Sequence, residues 1–210
     1  MAWEGQGSNV ESYVRWLAGH LGVADFVYRP TIVTKGSGVR ELSDGLLVAG
    51  SSGLIIQTKS RNDDAARKDD AERAERWCRK HALRARQQGF GTRRRLSEGN
   101  LHAVSLRGHE RLLPRGEDWP IVVVLHHPKA PRITLVPSVD TLYLTFEDWL
   151  GLHSLIRSTH GLISYVRRAL AARSRCHSAP SGSDIESWRP LMFDGRVSVL
   201  PQFPSCHGVR

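Results

Sequence analysis

Apolar residues recur at helical spacing over residues 8–21, where Val10, Tyr13, Val14, Leu17, Ala18 and Leu21 fall on one stripe and predict an amphipathic helix. Ser8 followed by Glu11 is a capping-box pattern, which sets the predicted start. The period then changes. Phe26 to Thr34 is rich in β-branched and aromatic residues, with Pro30 marking an edge or a break, and Gly36-Ser37-Gly38 reads as a turn. Residues 42–48 and 54–59 predict two strands joined by the small-residue turn Gly50-Ser51-Ser52-Gly53. Their contiguous apolar residues, Leu46-Leu47-Val48 and Leu54-Ile55-Ile56, call for a sheet covered on both faces.

Residues 62–88 predict one long helix, capped by Asn62, with Asp63 and Asp64 in its first turn and Gly89 as its stop. Asp63 and Arg67, Asp64 and Lys68, Asp69 and Arg73, Glu72 and Arg76, and Glu75 and Arg79 are acid-to-base pairs four residues apart, the favourable orientation in a helix. Further strands are predicted at 101–106, 121–125, 133–137 and 141–145, followed by helices near 146–157 and 160–172. From Ser174 to Ser183 the composition turns to Ser, Pro and Gly, as in a linker. The expected organisation is an α/β domain over 1–173, with its core at 8–125 and C-terminal helices at 146–172, then a linker and tail over 174–210.

Composition narrows the class of protein. The 210 residues carry 30 Lys and Arg against 21 Asp and Glu, a net charge of +9, which favours anionic partners and nucleic acid first among them. The longest aliphatic run, Ile121 to Leu125, is too short to span a membrane, and Met1 to Gly5 shows neither the basic nor the apolar region of a signal peptide. Cys78, Cys176 and Cys206 are odd in number and far apart, so no disulfide framework is indicated. A cytoplasmic location is expected. Two Cys-His pairs, Cys176-His177 and Cys206-His207, fit no usual zinc spacing, and His126-His127 after a strand reads as a turn.

The hairpin between the two central strands decides where the chemistry falls. A tight turn near Ser51 or Ser52 makes paired positions sum to between 101 and 103. A sum of 101 or 103 puts Asp44 on one side with Gln57 or Lys59, and a sum of 102 pairs it with Thr58 and spoils the arrangement. The sequence allows both.

The stretch from Gly38 through Glu41-Leu42-Ser43-Asp44, the apolar strand, the small turn and Leu54-Ile55-Ile56-Gln57-Thr58-Lys59 resembles a PD-(D/E)XK nuclease core. The preceding helix and the long following one are similar to that superfamily's α-β-β-β-α-β order, over roughly residues 8–125. The resemblance implies a restriction-endonuclease-like fold, a central mixed sheet flanked by helices with a C-terminal helical pair. It implies Asp44 as the metal-binding aspartate, Lys59 as the catalytic lysine, and Gln57 at the place usually held by an acid, as in Mrr-like members. The Thr58 carbonyl is a further ligand candidate, and Glu11 and Glu41 are acids that would supply a second carboxylate. Their alternative readings are a cap for Glu11 and a β-edge charge for Glu41.

Mg²⁺ (or Mn²⁺) is the implied cofactor, since such ions take hard oxygen ligands and are held by one or two carboxylates plus substrate phosphate. Downstream, the eight basic residues of 76–95 include Arg84, Arg86, Arg93, Arg94 and Arg95, candidates for phosphate contact. The expected function is metal-dependent endonucleolytic hydrolysis of DNA, in bacterial defence or DNA processing, with a homodimer allowed and no membrane partner. The alternative is a catalytically inactive nuclease-like module that binds nucleic acid or a partner protein.

Overall fold

The computed structural model describes residues 6–21, 26–29, 32–35, 38–129 and 138–177, with side chains described at 10–20, 26–29, 42–129 and 138–171. The predicted strand at 133–137 and the tail beyond His177 lie outside the described residues. Helix α1 (Gln6–Leu21) is followed by strands β1 (Val27–Arg29), β2 (Ile32–Lys35), β3 (Gly38–Glu41), β4 (Gly45–Ala49) and β5 (Ser52–Ser60). Helices α2 (Asp63–Arg67) and α3 (Ala71–Glu98) come next, then strands β6 (His102–Ser105), β7 (Glu110–Leu112), β8 (Ile121–His126) and β9 (Thr141–Thr145). Helices α4 (Phe146–Leu155) and α5 (Thr159–His177) complete the order.

Seven strands form one mixed sheet in the order β7-β6-β1-β4-β5-β8-β9, parallel between β5, β8 and β9 and antiparallel elsewhere. β2 and β3 pair separately as a hairpin. Both faces are covered, as the contiguous apolar runs require. Leu47, Leu54, Ile56, Val122, Val124 and Leu142 face one core with α1, α4 and α5. Leu46, Val48, Ile55, Ile121, Val123 and Leu125 face the other with α3. Small residues on α3 (Ala74, Cys78, Ala82, Ala85, Gly89) let that helix lie close to the sheet. Among the described residues no helix is long and apolar enough to cross a membrane.

Several boundaries correct the sequence reading. Helix α1 starts at Gln6, so Ser8 and Glu11 lie within it and the capping box is not its start. The predicted helix over 62–88 is two helices: Asn62 caps α2, and the Asp70 side chain caps α3 by accepting from Arg73 N–H. Gly89 does not stop α3. A Cβ there would sit 2.7 Å from Ile121 Cγ2, so this glycine serves close packing, and the helix ends at Gly99, whose φ is +77°. Residues 174–177, expected in a linker, continue α5.

Candidate functional site

Positions in β4 and β5 pair with a sum of 101: Gly45 with Ile56, Leu46 with Ile55, Leu47 with Leu54. Continuing that register by one residue sets Asp44 opposite Gln57. Ile55 N–H donates to Pro120 on the β8 side, so Ile56 and Thr58 direct their backbone groups toward β4. The chain leaves the sheet before Gly45, and a carboxylate fills the gap: Asp44 Oδ2 accepts the Thr58 N–H at 2.6 Å. The Thr58 carbonyl opens to the same side. Lys59 Nζ lies 3.8 Å from Asp44 Oδ2, and both side chains keep some exposure, 22% for Lys59 and 14% for Asp44. Arg15 of α1 donates to the Asp44 carbonyl, and Ser43 Oγ to that of Gly45, which together hold the bend before β4.

Gln57 and Lys59 alternate with Ile55 and so point to the α3 side of the sheet. Gln57 is buried and its Nε2 has no hydrogen-bond partner. A buried amide nitrogen left unpaired is costly, and turning the amide presents Oε1 to the same spot instead. Among the described residues no three His, Cys, Asp or Glu side chains gather to hold a metal ion. The fit to a divalent cation is therefore a minimal one: a single carboxylate, Asp44, with the Thr58 carbonyl and the Gln57 side-chain oxygen as the neutral oxygen donors nearest in the chain. Such a set suffices for Mg²⁺ where waters and a substrate phosphate complete the shell.

Glu11 shares a flank of α1 with Arg15, four residues away, on the helix that covers the opposite face of the sheet from Gln57 and Lys59. Glu11 is engaged within the fold. Glu41 ends β3, and its side chain lies outside the described residues.

Helix α3 brings groups that the sequence reading did not single out. Gly89 packs on Ile121 and Trp77 meets His127, so α3 runs antiparallel to β8. His81 stacks on Trp77 with ring centroids 4.3 Å apart. Burial, and then the charges of Arg84, Lys80, Lys59 and Arg61, lower the His81 pKa, so its imidazole stays neutral beside four cations. Arg61 stands over the other neighbour of that cluster, with its guanidinium carbon 5.9 Å from the Trp77 ring centre. The signals were present: Arg61 continues the alternation of Gln57 and Lys59, and Trp77 and His81 are four residues apart.

Arg61 also closes a second arrangement at the ends of β5 and β8. Its Nε donates to Asp69 Oδ2 at 3.0 Å and its Nη2 to Oδ1 at 3.3 Å. His127 Nε2 lies 3.2 Å from Asp69 Oδ2, and His127 Nδ1 accepts from Lys129 N–H, which fixes the proton of the neutral ring on Nε2. The Arg61 hydrogen bond is the chief cause of the lowered Asp69 pKa. The predicted pairing of Asp69 with Arg73 is thus replaced, and Arg73 pairs with Asp70 instead. Glu72–Arg76 and Glu75–Arg79 form as predicted.

The five arginines proposed for phosphate contact divide between the two flanks of α3. Arg86 and Arg93 reach Asp140 before β9, and Arg93 Nε donates to the Trp119 carbonyl at 2.9 Å. Arg95 pairs with Glu98 on the surface. Arg84 and Arg94 are exposed. The helix continues through the Gly89 and Gly91 positions, so Arg93, Arg94 and Arg95 are helical rather than a basic loop. At 1.5 Å per residue, His81 and Arg95 stand about 20 Å apart along it.

No family model matches the chain, and no curated protein or solved structure is significantly similar to it.

Proposed function

We propose that the protein is a restriction-endonuclease-like enzyme that hydrolyses phosphodiester bonds of nucleic acid, with DNA as the expected substrate. The observation that carries this reading is the meeting of Asp44 and Lys59 at the strand ends, 3.8 Å apart, with Gln57 opposite Asp44 in the register of the hairpin. Lys59, an ammonium on a flexible stem, orients the attacking water or offsets charge developing on the phosphate. Asp44, with Gln57 and the Thr58 carbonyl, holds the divalent cation, Mg²⁺ or Mn²⁺. When bound, that cation polarises the phosphate and lowers the pKa of a coordinated water. Arg84 and Arg94 contribute to the attraction of a polyanion. A role in bacterial defence or DNA processing rests on the resemblance to PD-(D/E)XK nucleases, and the cytoplasmic location on composition.

A second reading, a nuclease-like module that binds without cutting, is favoured by one detail. Asp44 Oδ2 already accepts a backbone N–H and pairs with Lys59, so the arrangement is satisfied as it stands.

The test is incubation of the purified protein with plasmid and single-stranded DNA, with Mg²⁺, Mn²⁺ or EDTA, alongside Asp44→Asn and Lys59→Ala. Hydrolysis by the wild type should require the cation and fall by about 10²-fold or more in each variant. Cleavage equal in all three proteins removes the assignment, and DNA binding without cleavage selects the second reading.

A further inference from the structure

Two relationships fix where the His81 ring of α3 stands over the sheet. The first is its flank of the helix. Arg86 and Arg93 reach Asp140 before β9, on one side. Thr92 lies on the other side, where its hydroxyl donates to the Leu42 carbonyl, two residues before Asp44. His81 is eleven residues from Thr92, about three turns of helix, and shares that line. The second is its level. Trp77 meets His127 just past the end of β8, and Gly89 packs on Ile121 at its start. His81, about 6 Å along α3 from Trp77, therefore stands at the level of Leu125. Leu125 is the register partner of Lys59. The imidazole thus lies on the Asp44 side of α3, level with Lys59 and over the face of the sheet that Lys59 occupies.

The stack on Trp77, with ring centroids 4.3 Å apart, accounts for the orientation of this ring but leaves its nitrogens unused. His127 has both nitrogens committed, to Asp69 and to Lys129 N–H, and His153 is sealed in the core. His81 is half-buried, and among the described residues nothing hydrogen-bonds to either of its nitrogens. The charges that act on it are Arg84 and Lys80 of its own helix and Lys59 and Arg61 at the end of β5, all positive. Asp44 stands beyond Lys59 and Asp69 beyond Arg61, each engaged with that cation. Burial and these charges hold the ring neutral, so its lone pair is free in surroundings that draw a phosphate.

We propose that His81 is the general base of the hydrolysis, a ring nitrogen taking a proton from the water that attacks phosphorus. The proposal rests on the nuclease reading and adds a catalytic residue to it. The water oxygen forms its bond to phosphorus as its proton passes to His81, and the bond from phosphorus to the departing sugar oxygen breaks. That oxygen takes a proton from solvent, to which the His81 imidazolium returns the one it accepted.

The experiment compares the wild type with His81→Gln. Glutamine is a good helix former and makes hydrogen bonds, but it takes up no proton. On DNA with Mg²⁺ or Mn²⁺, kcat should fall by about 10²- to 10⁴-fold. Affinity for DNA in EDTA, read by fluorescence anisotropy, and the midpoint of thermal unfolding should be unchanged. The kcat/KM of the wild type should fall with acid below pH 6.5, the ordinary histidine value, and this limb should be absent in His81→Gln. Three results overturn the base and leave the nuclease reading standing: cleavage by His81→Gln at the wild-type rate, a lowered rate that keeps the wild-type acid limb, or a loss of DNA affinity that matches the loss of rate. Absence of cleavage by the wild type with either cation overturns both.

Discussion

The Asp44 carboxylate occupies the place of a backbone acceptor: its Oδ2 takes the Thr58 N–H at 2.6 Å, where a continued ladder would offer the Ser43 carbonyl. The sheet thus ends on an ionisable group, and the same oxygen lies within ion-pair distance of Lys59. Structural and chemical roles of Asp44 separate by substitution. Asp44→Asn keeps an oxygen acceptor for Thr58 and should cost little stability, whereas Asp44→Ala strands a buried N–H and should cost about 1–3 kcal/mol. Urea unfolding of the two variants checks this. Equal stability of both would mean that the Thr58 contact contributes nothing.

Glycines at Gly53 and Gly91 answer to different constraints, and replacing each with alanine should have opposite signs. A Cβ at Gly53 would lie 2.4 Å from the Trp119 ring, and that indole is fully buried with nowhere to move. Gly53→Ala should therefore destabilise by about 1–3 kcal/mol. At Gly91 nothing lies within 4 Å of the added carbon, and the residue is inside α3. Gly91→Ala should stabilise by about 0.5–1 kcal/mol by removing backbone freedom from the unfolded chain. Thermal unfolding of the pair reads both shifts.

His153 should make the fold sensitive to mild acid. It is buried against Trp149, with ring centroids 4.5 Å apart and an unpaired Nε2, and burial pushes its pKa down to about 4. The unfolded chain takes up that proton below about pH 6.5, while the folded chain does so only near 4. Its contribution is therefore complete above pH 6.5, is lost as pH falls from 6.5 to 4, and changes no further below that. The loss is up to about 3 kcal/mol. His153→Leu should flatten the stability profile in this window. Asp69, whose pKa is lowered chiefly by its Arg61 hydrogen bond, has the same sense in a lower range, with its contribution lost as pH falls below the ordinary carboxylate value.

The elements legible in the sequence were those whose pattern has one physical cause. Leu162, Ile163, Val166 and Leu170 recur at helical spacing, so the helix predicted near 160–172 is found as α5, and the strand predicted at 141–145 is found as β9. The central hairpin was legible as a pair of strands, but its register was not, because three sums satisfied the same turn residues. The structure selects 101, which brings Asp44 beside Gln57. The division at Lys68–Asp70 was hidden because Asp69 fits the continuous four-residue acid–base spacing through its pairing with Arg73. Only the distant partners Arg61 and His127 show that Asp69 faces inward and that the helix is broken there. Likewise Gly89 reads as a stop until Ile121 is seen beneath it.

Arg93 and Arg94 are adjacent in sequence, but α3 turns them to different tasks. Arg93 is tied to the Trp119 carbonyl and to Asp140, bridging the helix to the segments before β8 and β9. Arg94 is exposed. Arg93→Ala should destabilise the protein by about 1–3 kcal/mol, because the buried end of its network loses its donor. It should have little effect on DNA binding at a temperature where the variant is folded. Arg94→Ala should lie within about 0.5 kcal/mol of wild type in stability. If Arg94 meets a phosphate, its removal should reduce the slope of log affinity against log salt by about 0.9, the share of one contact. Measured salt slopes that are the same for wild type and Arg94→Ala would take Arg94 out of the binding surface. A larger slope change for Arg93→Ala would show that the inward arginine, not the outward one, reaches the polyanion.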